Sequence, residues 1–432
     1  MTTKTMAFNV KITATHIIKP SSSPSDHLKT HDLSLLDQLS PSIYPPIIFF
    51  YSANPNSITT QLKVSLSKAL SSFHPYAGRV NGDVSVDCND AGIPYSEATV
   101  DGSLSDLLKE YDLSLMKQFV PLTEESVNLD HTIPLLVQVS VFKCGGIAIG
   151  ACSSHKIGDA SNFFTFIREW ANFSSNDSPI LVPDFSIASL FPRIGFLNFD
   201  TGIKIPTNEK LVRKRFVFNS SSVSSLKSQT SSSSRVQAVT ALIWKCAMIA
   251  IKKYKPTTVS STAMTLVNMR GRLSPPLPET SFGNFVGSFL AEKSFDEGDE
   301  IELRGLAGQL RHGFKEFCDV YMKQVQDPKD GIFAILNYSK DIGEALGKNG
   351  AEVFTFSSWC GFPLYEIDFG WGKPRWISVT NTPFKNGIMM MDSKEGNGIE
   401  VWANLEEEVM AIFEQNDELL AYCSPSMCDD GR

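Results

Sequence analysis

Apolar and polar residues alternate along "FNVKITATHIIKP" as far as Pro20, which is the period of a half-buried strand. "PIIFFYS" is a short continuous apolar run and predicts a strand buried on both faces. In "SITTQLKVSLSKALSSF", Leu62, Leu66, Ala69, Leu70 and Phe73 recur at helical spacing. Pro75 and Gly78 of "HPYAGRV" end that helix. "VSVDC" and "GIPYSEATV" are expected to pair as a hairpin around "NDAG". "LLVQVSVFKCGGIAIGACSSH" reads as two strands joined at Lys143 to Gly146. "SNFFTFIREWANF" places Phe163, Phe166, Ile167 and Trp170 on one helical face, and Ser161 or Asp159 can cap it.

From about 174 to 211 the character changes. "SSNDSPILVPDFSIASLFPRIGFLNFDTGIKIPTNEK" is rich in Pro, Gly, Ser and Asn and holds no period, as expected of a long connection between two domains. The pattern then restarts with a strand, "KRFVFN", and a helix, "SVSSLKSQT". "RVQAVTALIWKCAMIAIKKY" is a long helix free of Gly and Pro, and "STAMTLVNMRGR" reads as a strand. "SPPLPETSFGNFVG" is a loop. "IELRGLAGQLRHGFKEFCDVYMKQVQ" predicts a second long helix with Gly305, Gly308 and Gly313 as weak points. "EVFTFSSW", "GIMMMDS" and "GIEVWANL" predict strands, and "EEEVMAIFEQNDELLAYC" a terminal helix. Strands and helices mix in both halves and no repeat is visible. The fold class is therefore α/β (mixed α+β), with one domain over 1–173, a crossover loop over 174–211 and a second domain over 212–432.

Composition narrows the function classes. The chain has 432 residues, a net charge of −8 and no basic stripe that could neutralise phosphates along a nucleic acid. No run approaches the ~18 apolar residues of a membrane helix, and the first residues lack a signal-peptide core. A soluble cytoplasmic protein is expected. Eight cysteines show no metal-type spacing. Cys144, Cys246 and Cys360 sit in apolar contexts and are expected to be buried thiols, whereas Cys423 and Cys428 lie in a polar tail. Three Asn-x-Ser sequons, at Asn172, Asn219 and Asn337, are expected to be unused without a secretory signal.

The chemistry centres on "IAIGACSSHKIGDASNFF". His155 follows an apolar strand ending in small residues, where other chain or a ligand can approach closely. Its ordinary pKa suits a general base, but a structural histidine at a strand end fits the same residues. The other histidines look weaker: His27 and His31 in a polar loop, His131 after Asp130 in another, and His16, His74 and His312 within or beside regular elements. Asp159 could orient the imidazole as a triad carboxylate does. It could equally turn away and pair with a cation, for which Arg270 and Arg272 of "NMRGRL" are available. In "YEIDFGWGKPRW", Asp368, Phe369, Gly370, Trp371 and Gly372 read as a tight loop of structural type. Ser357 and Trp359 of "FSSWCGF" could donate to an oxyanion, or could simply end a strand with a core tryptophan. No G-x-S-x-G elbow, P-loop, dinucleotide fingerprint or metal-ligand spacing is present.

Taken together, "LKTHDLSLLDQL", "LSSFHPYAGRV", "SHKIGDA", "RVQAVTALIWKC", "VNMRGRLSPPLPETSFGN" and "YEIDFGWGKP" resemble, in family order, the motifs of the plant BAHD acyl-CoA-dependent acyltransferases. The "SLLDQL" entry, the "HKI-D" variant and "SSWC" are most similar to its alkaloid-acetylating subgroup. The resemblance implies two chloramphenicol-acetyltransferase-like domains with an active-site channel between them. It implies that His155 deprotonates a small-molecule alcohol, which attacks the thioester of an acyl-CoA co-substrate without a covalent acyl-enzyme. The acyl group is expected to be acetyl or short branched, with no bound cofactor, no metal, no nucleic-acid or membrane partner, and a monomeric state. Asp159 is expected to point away and pair with Arg272, or with Arg270 as second choice. Ser357 and Trp359 carry over as oxyanion donors, Asp368 to Gly372 as a structural motif near the CoA side, and Ser234 and Arg235 as CoA contacts. N-acylation of an amine such as a polyamine, and a catalytically inactive binding relative, are the alternatives. Ala160, Ser357, His74 and Tyr76 depart from the commonest family residues, and none of these removes the base.

Overall fold

The computed structural model describes residues 8–23, 25, 28–52, 58–110, 113–121, 132–175, 181–195, 210–231, 234–295, 300–327, 329–380 and 384–425. The sites expected at His27, Asp130, His131 and Cys428, and much of the 174–211 connection, lie outside the described residues.

The first half carries β1 (Asn9–Ile18), β2 (Thr30–Asp32), α1 (Leu35–Leu39), β3 (Pro46–Tyr51), α2 (Ile58–Ser72), β4 (Arg79–Asn81), β5 (Ser85–Asp87), β6 (Ile93–Asp101), α3 (Leu104–Glu110), α4 (Leu113–Met116), β7 (Leu135–Phe142), β8 (Ile147–Ser153), α5 (Ala160–Ser175) and α6 (Ile187–Leu190). The second carries β9 (Leu211–Phe218), α7 (Ser220–Thr230), α8 (Arg235–Tyr254), β10 (Ser260–Asn268), β11 (Val286–Ser294), α9 (Leu303–Glu316), α10 (Met322–Val325), α11 (Gly331–Leu346), β12 (Ala351–Ser358), β13 (Trp376–Ser378), β14 (Gly387–Asp392), β15 (Ile399–Glu406), α12 (Glu407–Phe413), α13 (Asp417–Leu420) and β16 (Ser424–Pro425). One sheet has the order β1-β6-β7-β8-β3-β13 and the other β11-β10-β12-β14-β15-β9-β16, with a small third sheet β2-β5-β4.

The strand "PIIFFY" is apolar throughout because both faces of its sheet are covered. Ile47, Phe49 and Tyr51 enter a core shared with α2 and α5, while Ile48 and Phe50 enter a second core with Phe119 and Trp376. Gly150 of β8 is obligatory, since a Cβ there would lie 1.9 Å from the carbonyl oxygen of Phe119. Helix α5 packs on α2 through Trp170, whose indole N–H donates to the Leu62 carbonyl and to Ser65 Oγ, each at 3.1 Å. In the second half, α8 is the central core helix, with Trp244 fully buried and donating to Ser261 at 2.9 Å. Among the described residues, no single helix is long and apolar enough to cross a membrane.

Several expectations are corrected. "VSVDC" and "GIPYSEATV" do not form a hairpin: β5 pairs with β2 and β4, and β6 with β1 and β7. Strands β11 and β13 and helix α11 arise in stretches to which the pattern assigns no regular element. The long helix after Ile301 is interrupted by a five-residue π-turn at Phe317–Tyr321, and not at its glycines. The terminal helix breaks into α12 and α13, where Asn416 caps the second by accepting from the Leu419 N–H. His31 lies in β2 and is buried, Cys423 is buried, and Cys144 is exposed. The described part of the connection is pinned to the second half by a bridge between Asp184 and Ser281, with Ile187 in the core around α8.

Candidate active site

Strand β8 is buried along its whole length and ends at Ser153. The chain then turns over residues 154–158 before α5 starts at Ala160, and His155 sits in that turn. The turn is fixed by its backbone. The His155 N–H donates to the Ile43 carbonyl at 2.9 Å, and the Ser154 N–H to Pro134 at 2.8 Å. Gly158 is required for close approach, because a Cβ would lie 2.3 Å from Asn162 Oδ1. That amide oxygen accepts from the Tyr76 hydroxyl at 2.7 Å, and Tyr76 in turn accepts from Ser153 Oγ at 3.3 Å.

Asp159 is buried and fully engaged. One carboxylate oxygen accepts from the Asn162 N–H at 3.0 Å, capping α5. The other accepts from Arg270 at 2.7 Å and from the Phe285 N–H at 2.8 Å. Arg270 is 2% exposed, so the ion pair is buried, and its second amino group donates to the carbonyls of Ser281 and Gly283 at 3.0 and 2.8 Å. The expectation that placed Arg272 first is therefore corrected to Arg270. The reason is turn phase. Residues 270–272 form a 3₁₀ turn after β10, and at three residues per turn, side chains two apart point in well-separated directions. Arg270 turns inward. Arg272 turns outward, donates to the Asn268 carbonyl and lies over the Phe314 ring at 5.3 Å.

The segment "SFGNF" also holds the histidine. Asn284 donates from its side-chain amide to the His155 carbonyl at 2.7 Å and to Asp37 Oδ1 at 2.8 Å. Asp37, which is buried, further accepts from the Asn284 N–H and, at the N-cap of α1, from the N–H and hydroxyl of Ser34. Burial pushes the Asp37 carboxyl upward, and those hydrogen bonds oppose the shift. Neither Asn284 nor Asp37 was singled out from the sequence. The signal lay only in their place within the quoted "LLDQL" and "TSFGN" stretches, since an isolated Asn or Asp carries no chemical pattern.

Burial lowers the pKa of His155, and the field of Asp159 opposes this only in part. The imidazole is thus neutral at neutral pH and able to accept a proton. Its Nδ1 is buried with no hydrogen-bond partner, and no hydrogen bond joins it to Asp159. The two motif residues do not form a relay.

Ser357 and Trp359 lie at the end of β12. Trp359 is nearly buried, with the Phe164 ring edge-on at 4.9 Å. Beside them is a cavity of about 550 Å³ between the halves. Helix α5 supplies Ser161, Phe164, Thr165 and Arg168; the start of α8 supplies Ser234, Gln237 and Thr240; and β10, α9 and the loop after β12 close it. Of the expected site residues, Ser234 and Arg272 line this cavity. Ser358 and Cys360, on either side of Trp359, line it too, whereas His155, Ser357, Trp359, Arg235 and Asp368 to Gly372 do not. Arg235 is tied to Asp392 at 2.9 Å, and Asp392 accepts the Gly361 N–H at 2.7 Å. Asp368 Oδ1 accepts three backbone N–H groups, from Gly370, Trp371 and Gly372, at 2.7–3.0 Å. Phe369 offers its carbonyl to Ser174 and Gln61, so this loop is bolted to α5 and α2.

A sequence profile described as "Transferase family" matches residues 8–420. The chain belongs to the BAHD transferase family. It is an acyltransferase. It is 35% identical to stemmadenine O-acetyltransferase of Catharanthus roseus over 429 residues, covering 94% of this chain and 97% of that one. Vinorine synthase of Rauvolfia serpentina has a solved structure that superposes with a TM-score of 0.83 at 31% identity, covering 97% of this chain and 100% of that chain. The F. sporotrichioides TRI101 structure, complexed with coenzyme A and T-2, has the same fold, with a TM-score of 0.70 at 18% identity over 91% of this chain and 99% of that one. The mixed α/β, two-domain fold expected from the resemblance is thus the observed one.

Proposed function

We propose that this acyltransferase moves an acetyl or short branched acyl group from coenzyme A to a hydroxyl of a plant specialised metabolite. The observation that carries the reading is a neutral His155 at the end of a rigid strand, with the Asp159 oxygens committed elsewhere. His155 removes the proton from the acceptor hydroxyl as that oxygen bonds to the thioester carbonyl carbon. Hydroxyl and indole donors of Ser357 and Trp359 stabilise the tetrahedral oxyanion. The intermediate then reforms the carbonyl and breaks the C–S bond, and the imidazolium returns its proton to the departing thiolate. The acetyl group is supported by the name of the Catharanthus relative, and coenzyme A by the ligand named for TRI101.

In this reading Asp159 and Arg270 clamp the histidine turn, Asp368 to Gly372 brace α5 and α2 behind it, and Ser234 meets the donor. Arg235 bears on the donor only through Asp392 and the Gly361 loop. The division at 173 and 212, the monomeric state and the cytoplasmic location are part of the proposal on the family resemblance.

The test is thiol release from acetyl-CoA with a panel of alkaloid, terpenoid and phenolic alcohols. Turnover that disappears in a folded His155→Ala variant is expected. Full activity of that variant would remove His155 as the base.

A further inference from the structure

The segment from Ser153 to Asn162 carries His155, and one phenol joins its two ends. Ser153 closes β8, and Asn162 lies in the first turn of α5. Ser153 Oγ donates to the Tyr76 hydroxyl at 3.3 Å, and that hydroxyl donates to Asn162 Oδ1 at 2.7 Å. All three residues are buried. The Asn162 amide nitrogen is buried without a hydrogen-bond partner, so the bond from Tyr76 decides which way that side chain turns. Its oxygen then lies against the backbone at Gly158, where a Cβ would come within 2.3 Å.

Tyr76 is itself held on several sides. It lies in the 3₁₀ turn His74–Ala77, where its N–H donates to the Phe73 carbonyl at 3.0 Å. Its ring meets Phe166 of α5 at 4.7 Å and Phe282 at 5.5 Å. Phe282 stands between Ser281 and Gly283, whose carbonyls hold Arg270. Burial pushes the Tyr76 hydroxyl above its ordinary pKa, so it stays protonated and keeps its donor role. The bonds of His155 to Ile43 and Asn284 act within the turn, whereas Tyr76 closes its ends. The turn cannot open or twist without stretching one of the two bonds to that hydroxyl.

We infer that Tyr76 is a positioning residue for His155: its hydroxyl straps the end of β8 to the start of α5 through Ser153 and Asn162, and so holds the imidazole where the acceptor must meet it. The inference rests on the proposed role of His155 as the base. It gives a function to one of the residues at which this chain departs from the commonest family pattern. Tyr76 touches neither the proton nor the acyl group in this scheme. Its effect is on the fraction of time that the base spends in the reactive position.

The test uses Tyr76→Phe in the full chain, which removes the hydroxyl and keeps the ring between Phe166 and Phe282. Amide hydrogen exchange reads the strap without any substrate. Exchange across residues 153–162 is expected to rise by about tenfold while the rest of β8 and α5 keeps its protection. With acetyl-CoA and an acceptor that turns over, kcat is expected to fall by about tenfold and KM for acetyl-CoA to change less than about twofold. Ser153→Ala and Asn162→Ala each cut one end of the strap, and each should lower kcat in the same way. Combined with Tyr76→Phe they should add little further loss. Unchanged exchange in the turn, an unchanged kcat in folded Tyr76→Phe, or fully additive losses in the double variants would overturn the strap. A His155→Ala variant that keeps full activity would instead remove the base reading, and the exchange result would still decide whether Tyr76 holds the turn.

Discussion

Asn284 donates to the backbone carbonyl of His155 at 2.7 Å, so the position of the proposed base is set from the other half of the chain. The same amide reaches Asp37 at 2.8 Å, which ties α1 into the arrangement. Asn284→Ala removes both bonds and leaves Asp37, buried and short of a donor, with a carbonyl unpaired beside it. We expect kcat to fall by about 10–100-fold, because a displacement on the order of 1 Å at a reacting group has that scale of effect. Stability should fall by about 1–3 kcal/mol from the unsatisfied groups. Steady-state kinetics beside chemical denaturation measures the two, and a kcat within twofold of wild type would remove the positioning role.

The Asp159–Arg270 pair predicts a different signature. Breaking a buried ion pair from one side costs about 3–5 kcal/mol, so Asp159→Asn and Arg270→Ala should each melt well below the wild type. Arg272→Ala, at an exposed position, should change stability by only about 0.5 kcal/mol. A double-mutant cycle on positions 159 and 270 should show strong coupling, and one on 159 and 272 little. A stable but inactive Asp159→Asn would instead speak for a direct orienting role.

With His155 as the proposed base, its lowered pKa is expected to set the acid limb of the rate profile. The free enzyme loses its base only when His155 is protonated, and burial moves that event below the ordinary histidine value of 6.5. The limb of kcat/KM against pH should therefore fall below 6.5. A limb above 6.5 that tracks His155 would contradict the burial argument.

His31 and His74 predict acid lability. Burial lowers both, each to about 4, among the rings of Phe185 and Phe282. In the unfolded chain they take up protons near 6.5, but in the fold only near 4. The unfolded state binds more protons between these values, so stability is fully present above 6.5 and is lost as pH falls toward 4. Urea denaturation at pH 7.5 and 5 reads this difference, and His31→Phe with His74→Phe should shrink it. A difference unchanged in the double variant would place the lability in other groups.

Much of this architecture was legible because local periodicity and tertiary burial agreed. Helix α8 matches the quoted stretch residue for residue, since twenty residues without Gly or Pro leave few alternatives. Strand β3 was readable because every position is apolar. The failures share one cause, which is that pairing is not local. "VSVDC" joins a small sheet with β2 and β4, while "GIPYSEATV" joins the main one, and nothing in either stretch names its partner. Strand β13 is three residues long, too short for a period. At the site, a histidine and a carboxylate four apart stood out as chemistry. Choosing between Arg270 and Arg272 needed the phase of a turn, and Asn284 needed a contact 129 residues away.

Strand β13 has a mechanical consequence. It leaves the second half, runs antiparallel to β3 at Trp376–Phe50, Ile377–Phe49 and Ser378–Ile48, and caps the edge of the first sheet. Any swing of one half away from the other must strip this strand from its neighbour or bend the chain on either side of it. The halves thus behave as a spliced frame and not as jaws.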